Sequence, residues 1–164
     1  MAIPSAAMKS AHSGILIQLA TGSHQELTEL TRAHHQAYAH QHDLEFLCAD
    51  HNPAAPKRPG WGKIALILDA LRQGFGRIVW LDADAVIVDP TIDLSRLIDA
   101  GVGMVRHPNY DGNGHHWNSG VIVAINQPIT RSFLEAVYAE PENDNAWMEQ
   151  LAITNWPASR GSQA

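Results

Sequence analysis

A single cysteine, Cys48, among 164 residues sets aside two kinds of protein at once. No disulfide can form within the chain, and there is no cysteine cluster to hold zinc. Basic residues are also scarce: 11 Lys and Arg stand against 17 Asp and Glu, a formal net charge of -6. A nucleic-acid binder needs the opposite balance, with basic side chains gathered along the phosphate path. No nucleic-acid partner is therefore expected. A phosphate ligand is still compatible, because a bound divalent cation can supply the missing positive charge. Long apolar runs are missing too, and none approaches the roughly 18 to 20 residues of a membrane span. Met1–His12 carries one Lys, no long apolar stretch and no clear cleavage site, so it lacks a secretory pattern. The resulting expectation is a cytoplasmic chain without a membrane span.

What is present suffices for a core. Hydrophobic residues make up 45% of the chain, which argues against global disorder, and the length fits one domain. The folded domain is expected over 13–156, after a flexible lead at 1–12 and before a flexible tail at 157–164. Gly14–Ala20 is a short apolar run suited to a buried strand. Thr21 and Gly22 turn it, Ser23 offers a helix cap, and Glu26 completes a capping-box pattern. Leu27, Leu30, Ala33 or His34, Ala37 and Tyr38 then recur at helical spacing, and Leu44–Ala49 reads as a second strand. A Pro-rich loop, Asn52–Pro59, leads to a helix over Trp61–Gln73 that Gly74 is placed to close. Ile78–Leu81 is continuously apolar, as in a strand covered on both faces. Val86–Val88, Gly103–Arg106 and Val121–Ile125 are further strands, and Ile129–Ala139 and Asn145–Thr154 further helices. This alternation predicts an α/β fold with helices packed on a mostly parallel sheet.

The chemistry concentrates where the buried strand ends, at Asp82-Ala83-Asp84. Ligands of open α/β sheets bind beyond the carboxyl ends of the strands. Two carboxylates separated by one small residue repel unless a cation neutralises them. Hard oxygen ligands suit Mg²⁺ or Mn²⁺, which usually share their coordination with substrate phosphates. A bare Asp-x-Asp is a weak motif, since solvated turn carboxylates look the same. Its place after a fully apolar strand, with small Ala83 and Ala85 beside it, gives it weight. Histidines add less. His34, His35, His40 and His42 are spread around a predicted helix, which does not favour a zinc site, whereas His115 and His116 beside Asn118 are expected nearer the pocket.

Several stretches stand in order along the chain: Tyr38-Ala39-His40-Gln41-His42, Trp61-Gly62-Lys63-Ile64, and Ile78 through Ile87 with its Asp pair. Asn118-Ser119-Gly120-Val121 and Trp147-Met148-Glu149-Gln150 complete the set. Together they resemble the retaining galactosyl-, mannosyl- and xylosyltransferase family of GT-A fold, whose members use nucleotide-diphosphate sugars, and the likeness runs from Gly14 to Ile153. The resemblance implies Mn²⁺ (or Mg²⁺) at Asp82 and Asp84, bridging to the diphosphate of a UDP- or GDP-sugar donor. It implies contacts of Lys63 and Asp82 with the nucleotide and a sugar pocket shaped by Asn118, Ser119 and Gly120. Glu149 and Gln150 would flank the reacting sugar and stabilise an oxocarbenium-like state. The metal would stabilise the departing diphosphate as a Lewis acid, and a saccharide or other hydroxyl would be the acceptor.

One departure accompanies the likeness. Family members carry a later Gly-Asp stretch and a histidine that completes the metal shell, and the sequence ends at Ala164 without them. Donor binding is therefore expected more firmly than brisk transfer, and a non-catalytic or degenerate nucleotide-sugar-binding module is the alternative. A rival from another class is a haloacid-dehalogenase-type phosphatase, with Asp82 as nucleophile and Asp84 as general acid. That reading wants the motif near the N-terminus and a later acidic metal pair. Here the motif is central, and Asp93, Asp99 and Asp144 are isolated.

Overall fold

The computed structural model describes residues 14–108, 115–142 and 149–154. The expected lead at 1–12 and tail at 157–164 lie outside these residues, as do Trp147 and Met148. The elements run β1 (Gly14–Leu19), α1 (His24–Gln41), β2 (Leu44–Ala49), α2 (Pro59–Arg72), β3 (Arg77–Leu81), β4 (Val102–Pro108), β5 (His115–Ile125) and α3 (Pro128–Ala139). A short 3-10 turn, Leu94–Arg96, follows β3, and residues 149–154 are helical.

The five strands form one sheet in the order β2-β1-β3-β5-β4. The α/β class is as expected, and the sheet is mixed: β2, β1 and β3 pair in parallel, while β5 runs antiparallel to both β3 and β4. The connections explain this. Each parallel neighbour is reached through a helix, α1 or α2, whereas only six residues, 109–114, join β4 to β5, too few for the crossover of a dozen or more that a parallel neighbour needs.

Alternation along the strands divides the core between the two faces. Ile15, Ile17, Leu19, Ile78 and Trp80 pack with Ile64, Ile67 and Leu71 of α2 and with Leu134 and Val137 of α3. Leu16, Val79 and Leu81 face the other way, toward Tyr38 and Ala39 of α1 and toward Ile87. β3 is thus buried on both faces, with Ile78 and Val79 at 0% exposure, as its unbroken apolar run predicts. Gly74 closes α2 as anticipated, at φ +92 with its N–H donated to the Leu71 carbonyl.

Three local expectations are corrected. Ser23 makes no side-chain capping bond and has helical backbone angles; the chain enters α1 through turn bonds from the His24 and Gln25 N–H groups to Thr21 and Gly22. Val86–Val88 is not a strand. Val86 and Val88 are exposed, and the backbone of Ile87 finds its partners in side chains of α1, His34 and His35, in place of a neighbouring strand. The strand expected over Val121–Ile125 begins earlier, so that Asn118–Gly120 lies inside β5, where the pairing with β4 slips between Met104 and Val105. Met104 faces Ile122 and Val105 faces Asn118, so the residues between bulge out of the ladder.

Candidate functional site

The route of the chain creates the site. From β1 it passes to β2 on one side and then returns to β3 on the other, so the connections diverge above the carboxyl ends of β1 and β3. A crevice opens at such a switch point. Here it is a cavity of about 340 Å³. Leu19, Thr21 and His24 wall it at and after the end of β1, Pro59, Gly60 and Lys63 from the start of α2, Trp80 from β3, and Asp82, Ala83 and Asp84 from the turn that follows β3. Ser119 of β5 and Glu149 with Gln150 close the remaining side.

Its floor is an ionic network centred on Lys63. Trp80 and Asp82 are two residues apart and so share the sheet face covered by α2, which carries Lys63. The Lys63 ammonium lies 2.9 Å from Asp82 Oδ1 and 3.0 Å from Glu149 Oε1. It also donates to the Ser119 carbonyl at 2.8 Å and to Ser119 Oγ at 3.0 Å. Ser119 Oγ in turn donates to Glu149 Oε1 at 3.0 Å, and the Trp80 indole N–H donates to Asp82 Oδ1 at 2.7 Å. Lys63 is only 4% exposed and Glu149 5%. A buried cation and a buried carboxylate persist only when paired and hydrogen-bonded, as they are here.

Ser119 also binds Gln150, whose Oε1 accepts the Ser119 N–H at 3.0 Å and lies 3.3 Å from Ser119 Oγ. The bulge in β5 thereby turns Ser119 toward the helical residues 149–154. Gly120 is required by close approach: its carbonyl accepts the Asp82 N–H at 2.8 Å, and a Cβ there would sit 2.9 Å from Asn118 Oδ1 and 3.4 Å from Asp82 Oδ2. Asn118 spends its side-chain oxygen on the Gly120 N–H, at 2.8 Å. Of the expected sugar-pocket residues, Ser119 therefore reaches the cavity wall, while Asn118 and Gly120 shape the backbone behind it.

Asp84 differs from Asp82: it is exposed and faces the cavity. Asp82 has one oxygen, Oδ1, committed to Lys63 and Trp80. Among the described residues, no group of three or more His, Cys, Asp or Glu side chains gathers to enclose a metal. Such a cage is not what Mg²⁺ or Mn²⁺ requires. These ions keep several waters and are held through one or two carboxylates plus substrate phosphates, so Asp84 and Asp82 Oδ2 match that donor set in kind.

The structure brings Lys63, Asp82, Asp84, Ser119, Glu149 and Gln150 to one cavity, from sequence positions as far apart as Lys63 and Gln150. Lys63 is not on the solvated side of its helix but buried beneath the Asp pair. His116 is not among the residues that line the cavity; its ring lies 5.0 Å from that of His107 on β4, tilted by 40°. The side chain of His115 lies outside the described residues. Thr21 and His24 line the cavity without having been singled out, and only their position directly after β1 could have pointed to them.

No protein-family model matches the sequence, and no curated protein matches it either. Among solved structures, the chain is similar to a glycosyltransferase involved in the glycosylation of the major capsid of PBCV-1. The TM-score is 0.65 at 14% identity, over 90% of this chain and 79% of that one. Likeness at that identity is a statement about architecture, and the architecture of this chain is glycosyltransferase-like.

Proposed function

We propose that the chain binds a nucleotide-diphosphate sugar, with a UDP- or GDP- moiety, in the 340 Å³ cavity and transfers the sugar to a hydroxyl acceptor, with retention of configuration. The observation that carries this reading is the pairing of an exposed cavity carboxylate, Asp84, with the buried Lys63–Asp82–Glu149–Ser119 network directly beside it. The glycosyltransferase-like architecture supports it.

Each residue has a role that follows from its contacts. Asp84, with Asp82 Oδ2, would hold Mn²⁺ or Mg²⁺ together with the donor diphosphate. When bound, that ion supplies Lewis-acid stabilisation of the departing diphosphate. Lys63 fixes Asp82 and Glu149 relative to one another and neutralises charge that would otherwise repel the phosphates. Gln150 has its carbonyl oxygen held by Ser119, which leaves its amide nitrogen to donate to a sugar oxygen. Glu149, oriented by Lys63 and Ser119, places negative charge near the sugar, where a developing oxocarbenium ion is stabilised.

The phosphatase reading has less to stand on. A phosphatase of that kind wants a later acidic pair for its metal, yet Asp93 turns to Ser95 and Arg96 and Asp99 lies beside Arg77, both outside the cavity lining.

The test is thermal unfolding with UDP or GDP, with and without Mn²⁺. Binding at 100 times the dissociation constant adds about 2.7 kcal/mol to stability. Asp84→Asn is expected to remove the Mn²⁺-dependent part of that shift while leaving the ligand-free melting temperature within about 2 °C, as for an exposed substitution. A full Mn²⁺-dependent shift in the variant would place the metal elsewhere.

A further inference from the structure

Two polar side chains at 0% exposure, Gln18 of β1 and His35 of α1, remain outside the roles assigned above. They bind one another, with His35 Nδ1 3.0 Å from Gln18 Oε1. Gln18 Nε2 donates onward to the Asp82 carbonyl at 3.4 Å. The other ring nitrogen, His35 Nε2, faces the Ile87 N–H at 3.4 Å, and the neighbouring His34 Nε2 meets the Ile87 carbonyl at 2.7 Å. The segment from Asp82 to Ile87 carries Asp84 between its ends. It is therefore gripped at one end by Gln18 and at the other by a pair of histidines.

These bonds fix the state of the His35 ring. Gln18 donates through its amide nitrogen, so its oxygen must accept, and His35 Nδ1 must carry a proton. Nε2 accepts from the Ile87 N–H, so it must not. Only the neutral Nδ1–H tautomer satisfies both. A proton on Nε2 would set two donors against each other and break the hold on Ile87.

We propose that His35, acting through Gln18, is a positioning residue for the Asp82–Asp84 segment, whose neutral ring keeps the two carboxylates set for metal and diphosphate and whose protonation loosens them. The ligand half of this proposal rests on the nucleotide reading of the cavity.

The surroundings suit such a role. His34 is 5.6 Å away, ring to ring, on the same helix, and Tyr38 lies a turn further on. β2 presents Cys48, the register partner of Gln18, and the held segment presents Asp82 through its carbonyl and Asp84 beyond it. The remaining neighbours on this face, Leu16, Val79, Leu81 and Phe46, are apolar. Burial first, and the nearby His34 second, hold the His35 pKa below the ordinary 6.5. The sign follows: the folded state takes up this proton at lower pH than the unfolded chain. The stability tied to the neutral ring is complete above 6.5 and is lost as pH falls from there through the folded-state value.

The ligand-free chain gives the first readout. In a nuclear magnetic resonance titration from about pH 8 to pH 5, His35 should begin as the Nδ1–H tautomer, and the Asp84 and Ile87 amide signals should move with the His35 midpoint. The second readout is the dissociation constant of UDP or GDP in Mn²⁺ across the same range. Affinity of the native chain should fall at least about 5-fold further on acidification than that of His35→Asn, which cannot titrate. Amides that ignore the His35 midpoint would overturn the proposal, as would equal pH slopes in the two proteins. Should His35→Asn fail to fold, the ligand-free titration of the native chain decides alone. Coupled amides with no nucleotide binding at any pH would uphold the positioning role and overturn the nucleotide reading.

Discussion

Replacing Lys63 by Met should cost about 3–5 kcal/mol, the usual penalty for removing one partner of a buried ion pair. In a domain of this size that lowers the melting temperature by about 10 °C. The loss arises because Glu149, 5% exposed, would keep a buried charge with only the Ser119 hydroxyl beside it, and Asp82 Oδ1 would keep only the Trp80 indole. Adding Glu149→Gln to Lys63→Met should recover at least about 1 kcal/mol, since the stranded charge disappears; non-additivity of that size marks residues in one network. Chemical denaturation of the single and double variants measures the coupling. Additive effects would mean that the two side chains act independently.

A larger effect is expected at the centre of the sheet. Val79 lies in β3 at 0% exposure among Leu16, Tyr38, Leu81 and Ile87. Val79→Asp buries a carboxylate with no partner there, at a cost of several kcal/mol. That is comparable with the whole stability of a domain, about 5–15 kcal/mol. The variant should be found in the insoluble fraction or show no cooperative unfolding by circular dichroism. Soluble, cooperative unfolding would contradict the burial of β3 on both faces.

Where the sequence was legible, the signal was local. Ile78–Leu81 is apolar at every position because β3 is covered on both faces, and the Asp pair could be placed at its end for that reason. Gly74 marks the end of α2 because only a residue at ease with positive φ fits there. What was not legible depends on partners distant in the chain. Lys63 looks like any helix lysine until α2 is laid on the sheet above Asp82 and a helical turn brings Glu149 across it. Val86–Val88 has the composition of a strand, yet two histidines of α1 capture its backbone first. The capping-box pattern at Ser23 failed because the turn at Thr21 and Gly22 already delivers the chain into α1. The direction of β5 could not be read from β5 itself. It is set by the connection from β4, which at six residues is too short for a parallel crossover.

Incubation with a panel of UDP- and GDP-sugars in Mn²⁺, with chromatography of the nucleotides, tests the central claim most directly. The account predicts that UDP or GDP is released from one class of donor, that chelation of the metal stops it, and that Asp84→Asn stops it too. It also predicts no comparable hydrolysis of a simple phosphate ester by the same protein. Release unaffected by chelation and by Asp84→Asn, or hydrolysis of the phosphate ester with every sugar nucleotide left intact, would contradict it.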